Sequence, residues 1–368
     1  MARDDREGSD QGGWPRPAKV RARIRLDVGG SLGDDDNEAI TNFSAASRVG
    51  DSLFLAADER AAIDRLVPGR RGDWTGHARF ALADLLDLAD PDEEADLEGL
   101  AADDGWLWVL GSHARTRPKP EKAKDECIDL AELADLKDTR PRCLLARIPL
   151  ADQDGVPTPV AKDGKRRAGL LPQTKHGNDL AKALRKDPLI GPFTRIPAKE
   201  GGLDIEGIAV CGDRVALGLR GPVVASHAVL IEVEVAAKAS GKIELAGRPV
   251  KRLLAMEGLG IRDLKRCGDD LLILAGPTTS LSGPCALYRW RGWAHDPPQD
   301  ERKVRLHRPE RLFDIPFGRG VDHPEGLALW DESDGTARQI LVIYDSPSQR
   351  RCDTRRNTIE ADLFDLPA

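Results

Sequence analysis

The chain has 368 residues, with 55 Lys and Arg against 62 Asp and Glu, a formal net charge of −7 at pH 7. That balance argues against general binding to a nucleic-acid backbone, which needs a basic surface. An apolar fraction of 40% and a charged fraction of 32% describe a soluble protein, and no apolar run approaches the roughly 20 residues of a membrane-spanning helix.

Met1 to Pro17 is polar, rich in Gly, Asp and Arg, and has no apolar core of the signal-peptide kind. Residues 1–18 are read as a disordered tail, and residues 19–368 as one domain. The six cysteines, Cys127, Cys143, Cys211, Cys267, Cys285 and Cys352, form no C-x-x-C pair and have no His at zinc-like spacing. That usage is expected of reduced, packed thiols in the cytoplasm.

Val20 to Leu26 alternates Arg with apolar residues, the pattern of a strand. A repeated unit follows. Five segments align: Asn37-Glu38-Ala39-Ile40-Thr41, Leu97-Glu98-Gly99-Leu100-Ala101, Ile205-Glu206-Gly207-Ile208-Ala209, Ile261-Arg262-Asp263-Leu264-Lys265 and Pro324-Glu325-Gly326-Leu327-Ala328. Each precedes a polar turn and then an apolar run: Leu53 to Leu55, Trp106 to Leu110, Val215 to Leu219, Leu271 to Leu274 and Ile340 to Tyr344. Third strands are predicted at Cys143 to Leu150, Ala228 to Val235, Ala286 to Trp290 and Ala361 to Leu366. Fourth strands are predicted at His77 to Leu82, Phe193 to Ile196, Val250 to Leu254 and Arg311 to Ile315.

Four antiparallel strands in repeated copies predict an all-β protein, a β-propeller of five blades. The interval from Glu98 to Glu206 is about twice the usual spacing. It holds either a sixth blade or, as preferred here, a partly helical insertion around residues 114–192. Asn178 to Lys186 reads there as a capped helix and Arg115 to Lys124 as an exposed basic loop. The strand Val20 to Leu26 has no first strand of its own. It is expected to complete the blade begun by Glu325, beside the C-terminal strand.

Lys199 to Ala209 with Gly218 to Val223, Gly258 to Leu264 with Ile273 to Thr278, and Phe317 to Gly320 with Asp322 to Leu327 resemble the DUF3616 family, a bacterial family of unknown function. The resemblance runs over roughly residues 20–366. It implies relatedness to propellers with E-G-L/I-A strands, the phytase-like and esterase-like propellers among them, and implies no activity.

If the E-G-L-A segment is the innermost strand, Glu38, Glu98, Glu206, Arg262 and Glu325 ring the channel near one mouth. Asp36, Asp96, Asp204, Gly260 and His323 lie two positions earlier. Crowded carboxylates raise one another's pKa unless a cation intervenes. Glu38, Glu98, Glu206 and Glu325 are therefore candidate ligands for Ca²⁺, which takes six to eight oxygens. A purely structural alternative has each acid bonding backbone N–H groups of the next copy.

The pattern breaks at Arg262-Asp263 and at His323. These residues, with Arg220, Glu206 and Glu325, are the candidate catalytic residues. Arg220 ends its strand where the other copies carry Ala57, Gly111, Ala275 and Asp345, and a guanidinium there could grip an anion. Arg319, between two glycines, is a further anion candidate. His113 follows Ser112 too closely to form a dyad with it. No G-x-S-x-G elbow, Walker loop or H-E-x-x-H motif occurs.

The preferred function is binding of a small anionic ligand or a protein partner at the channel mouth. A metal-assisted phosphoester hydrolase, with Arg220 and Arg262 as clamps, and a glycoside hydrolase remain as alternatives. The basic runs Pro118 to Lys124 and Lys162 to Arg167 read as solvated loops or as contacts for an acidic partner.

Overall fold

The computed structural model describes residues 17–29, 39–91, 93–117, 128–136, 139–297, 303–333 and 336–367. The chain folds as a β-propeller. Blade 1 runs Phe43–Val49, Ser52–Ala57, Ala62–Pro68 and Trp74–Ala81. Blade 2 runs Leu97–Asp103, Trp106–Gly111, Leu145–Gln153 and Gly169–Leu170. Blade 3 runs Asp204–Cys211, Arg214–Gly221, Ala228–Ala237 and Val250–Leu254. Blade 4 runs Gly260–Cys267, Asp270–Gly276, Cys285–Trp290 and Glu310–Ile315. Blade 5 starts with His323–Ser333, Thr336–Asp345 and Thr358–Asp365, and its outer strand is Ala22–Asp27 from the other end of the chain.

The reason for the ring lies in the strand pattern. Successive side chains of a strand point to opposite faces, and here both faces are apolar. Leu271 and Ile273 of blade 4 are buried against blade 3. Leu272 and Leu274, between and after them, are buried against blade 5. The same division holds around the molecule: each hydrophobic cluster lies between two neighbouring blades, and one of them joins blade 5 to blade 1. The inner strands accordingly pack in a closed cycle, each against the next. Close approach requires small residues in the inner strands. A Cβ on Gly207 would come within 3.1 Å of the backbone of Asp263 and Leu264 in the next blade. One on Gly326 would come within 3.0 Å of the Ala46 nitrogen.

Closure follows the expected route. Ala22–Asp27 pairs antiparallel with Thr358–Asp365, Leu26 opposite Ile359, and Leu26 also pairs in parallel with Trp74 of blade 1. The helix Asp179–Lys186 is present, capped by Asn178, whose side-chain oxygen accepts from Ala181 N at 2.9 Å. It buries Leu180 and Leu184 between blades 2 and 3. Among the described residues, the long interval holds this helix, short strands and turns, and no further four-stranded sheet.

Two sequence expectations are corrected. Phe193 to Ile196 is not a strand: Gly191–Arg195 is a 3₁₀ turn opened by Pro192, and Gly169–Leu170 edges blade 2 instead. In the first copy, Ala39–Thr41 is also a 3₁₀ turn, and the inner strand begins at Phe43. The member of blade 1 equivalent to Glu98 is therefore Ser44. Glu38, Asp36, Cys127 and the run Pro118 to Lys124 lie outside the described residues, as does nearly all of the 1–18 tail. Cys211, Cys267, Cys285 and Cys352 are free thiols. Among the described residues no helix is long and apolar enough to cross a membrane.

Because Leu26 is fully buried in the core that joins blade 5 to blade 1, Leu26→Ala is expected to lower unfolding stability by about 2–5 kcal/mol. Denaturant titration should find a loss comparable to that of Leu341→Ala in the same core. A cost near zero would show that the N-terminal strand does not close the ring.

Candidate functional site at the channel mouth

The inner strands share a local irregularity. Each pairs with its neighbour through a register shift, at Phe43/Ala45, Leu97/Gly99, Ile205/Gly207, Ile261/Asp263 and Pro324/Gly326. The residue skipped in each case is Ser44, Glu98, Glu206, Arg262 or Glu325. A bulge of this kind leaves one residue out of the ladder and re-aims its side chain. Four of the five, all but Ser44, line one cavity of about 760 Å³ together with Asp58, Asp96, Asp204, Arg220, His323 and Asp345. Inner strands begin at this mouth and second strands end there, which is why residues far apart in sequence meet.

The cavity wall divides into two electrostatic parts. On the blade 3 to 5 side the acids are paired. Arg262 Nε lies 3.0 Å from Glu206 Oε2, and the same guanidinium contacts Glu325. Arg220 donates to Glu206 Oε1 at 2.9 Å, lies 3.5 Å from Asp204 Oδ2, and donates to the Thr279 carbonyl at 3.2 Å. The two arginines thus form a chain of charge-assisted contacts across three blades.

On the blade 1 and 2 side the acids converge. Carboxylate oxygens of Asp58, Asp96 and Glu98 all lie within 4.8 Å of one another. Asp96 has partners in Arg142 and in the Ser112 hydroxyl. Asp58 Oδ1 is buried without a hydrogen-bond partner, and the charges that act most on Glu98 are all negative: Glu206, Asp96, Asp204 and Asp58.

Burial and these like charges set the titration. Burial, then Asp96 and Asp345, push the Asp58 carboxyl up to about 7. Burial and Glu206 push Asp204 up to about 7 against the opposing pull of Arg220. Burial raises Glu98 well above the usual carboxylate range, and Glu206 and Asp96 add to it. Burial also raises Asp345 and lowers His323.

The sequence candidates separate accordingly. Glu98, Glu206, Glu325, Arg220, Arg262 and His323 meet in the cavity. Asp263 is not among its lining residues. It is fully buried at the ring axis, where both its oxygens accept from Lys265 Nζ at 2.6 Å and one accepts from Leu327 N of blade 5. Lys265 Nζ also donates to the Leu100 carbonyl of blade 2 at 3.1 Å. Bonding to neighbouring backbone, expected of the glutamates, is carried by Asp263 and by Ser44, whose hydroxyl donates to the Leu97 carbonyl. His113 is buried beside Asn178 and lowered to about 4 by burial. Arg319 is exposed and is not among the lining residues. Asp58 and Arg142 were missed by sequence reasoning. Asp58 had one signal: it follows the second strand of its copy much as Asp345 ends that of blade 5.

Fold and site define a β-propeller with an acidic cavity at one mouth. The chain belongs to the DUF3616 family of proteins of unknown function, whose model matches residues 42–362. No curated protein matches it. Among solved structures it is similar to the glutaminyl cyclase of Myxococcus xanthus, at 11% identity over 96% of this chain and 100% of that one, with a TM-score of 0.42. It is also similar to a GH43_1 enzyme from Xanthomonas citri, at 9% identity over 94% and 91% of the two chains, TM-score 0.42. A third is regucalcin, a calcium-binding protein from Agrobacterium tumefaciens, at 9% identity over 94% and 96%, TM-score 0.35.

Two outcomes are expected. An acid whose folded pKa is raised contributes stability that is full below its unfolded pKa and is lost as pH rises through the folded value. For Asp58 that loss falls between about pH 4 and 7. In chelator, the melting temperature of Asp58→Asn relative to wild type should therefore rise from pH 5 to pH 8, and a pH-independent difference would contradict the assignment. At the axis, Lys265→Met strands the Asp263 carboxylate and should cost about 3–5 kcal/mol in denaturant titration. Adding Asp263→Gly, the residue found at this position in blades 2, 3 and 5, should recover part of that loss.

Proposed function

We propose that this protein is a ligand-binding propeller whose mouth cavity binds a hard divalent cation of the Ca²⁺ type at Asp58, Asp96 and Glu98. The observation that carries the reading is the convergence of these three carboxylates within 4.8 Å, of which, among the described residues, Asp96 alone is in an ion pair, with Arg142. Ca²⁺ takes six to eight oxygen ligands in flexible geometry. A bound dication also relieves the like-charge repulsion that raises Asp58 and Glu98.

Binding is preferred over phosphoester hydrolysis because Arg220 and Arg262, the side chains suited to clamp a phosphate, are both engaged by carboxylates. Glu206 and Glu325 belong to that engaged group, so among the described residues the proposed metal set is Glu98 with two aspartates.

Titration calorimetry with CaCl₂ tests this. One saturable site is expected in wild type, weakened tenfold or more by Glu98→Gln or Asp58→Asn. Glu325→Gln should weaken it much less, because Glu325 faces Arg262. Absence of saturable binding at millimolar Ca²⁺, or equal loss in all three variants, would sink the reading.

A further inference from the structure

A divalent ion is far smaller than this cavity. A water molecule occupies about 30 Å³ in the liquid, whereas 760 Å³ lies in the range of small-molecule pockets. Part of the lining is apolar. Leu281 and Phe317 line the cavity, yet 73% and 44% of their surfaces are exposed, with Pro277 and Pro324 beside them. Their two loops are built as one lip: Gly320 N donates to the Ser282 hydroxyl at 2.8 Å. The lip is also tied to the interior, through the Arg220 bond to the Thr279 carbonyl. Exposed apolar surface rimmed by polar residues can serve as a binding surface.

We propose that the cavity takes an organic cation: a primary amine bearing an aromatic or branched aliphatic group, its ammonium among Asp58, Asp96 and Glu98 and its apolar part against Leu281 and Phe317. The inference rests on the reading above that the acidic wall is a cation site, and it names a second occupant for it. Charge sets the sign of the ligand. Among the lining cations, Arg220 and Arg262 contact Asp204, Glu206 and Glu325, Arg117 contacts Glu200 and Arg142 contacts Asp96, while Asp58 Oδ1 has no hydrogen-bond partner. Geometry sets the group. An ammonium has three donors, and three N–H···O bonds of about 2.8 Å hold their acceptors about 4.6 Å apart. That spacing fits three oxygens lying within 4.8 Å of one another. Ca²⁺ and the amine then compete for the same carboxylates.

The test is calorimetry with three probes: CaCl₂, ethylamine and 2-phenylethylamine. Phenylethylamine is expected to bind roughly tenfold or more tightly than ethylamine, from burial of its ring. Ca²⁺ should raise its apparent Kd. The double variant Leu281→Ser/Phe317→Ser changes only exposed side chains. It should erase the advantage of the ring and leave Ca²⁺ binding unchanged. Ca²⁺ binding without either amine, or equal affinity for the two amines, would overturn this inference and leave the cation site standing. Phenylethylamine binding without Ca²⁺ would support it and overturn the metal. If no probe binds, both fall.

Discussion

A strand that is apolar on both faces has to be covered twice. Leu271 to Leu274 is such a strand, with Leu271 and Ile273 buried on one side and Leu272 and Leu274 on the other. A two-layer sandwich covers one face of each sheet. Only an arrangement in which every sheet has two neighbours covers both, and a chain of such sheets must bend round until its ends meet. The N-terminal strand completes that circle by supplying the outer edge of blade 5. The site depends on this closure, because nothing else brings position 58 near position 345.

The ring also fixes which side chains face the axis. A bulge recurs at one place in each inner strand, so the sequence position it frees is multiplied around the mouth. Four of these positions carry charge. Three glutamates alone would repel one another at short range in a partly dry cavity. Arg262 in blade 4 relieves the repulsion by touching Glu206 on one side and Glu325 on the other. Below it, Lys265 and Asp263 tie blade 4 to blades 2 and 5 through Leu100 and Leu327. Those two residues each lie two places after a mouth glutamate. The buried pair thereby holds Glu98, Arg262 and Glu325 in one relative arrangement.

Much of the fold was legible because its signals are local. The turn residues, the apolar runs and the E-G-L-A motif sit within a few positions of one another. Even the ring closure could be read from a lone strand without a partner. The first copy failed because its motif is Phe43-Ser44-Ala45-Ala46. Its bulge carries Ser rather than Glu, and an upstream acid was matched in its place. Backbone geometry, not residue type, is what blade 1 shares with the rest. The site was half legible for the same reason. Glu98, Glu206, Arg262 and Glu325 repeat in sequence, but Asp58 lies just past a second strand and Arg142 in the connection that follows one. Asp263 looked functional because it breaks the pattern, and that departure proved to serve the axis. Pairing between charges is set by distances across blades, and no spacing along the chain encodes those.

The asymmetry of the mouth is the strongest argument that it binds something. A solution to acidic crowding is already present in this chain: one arginine at the bulge position of blade 4 satisfies the glutamates of both neighbours. Blade 1 sits beside Glu98 in the same way, yet its bulge carries Ser44, whose hydroxyl turns to the Leu97 carbonyl and offers no charge. Asp58 then adds a further carboxylate where a cation would have been stabilising. Holding Asp58 and Glu98 together destabilises the folded chain at neutral pH, as their raised titration records. A ligand that binds only the folded state returns that free energy on binding. The sector holding Asp58 and Glu98 is therefore where the fold forgoes stability, next to a sector where two arginines bridge the acids. In the proposed reading, a cation from solution completes the ring of charges that Arg262 begins.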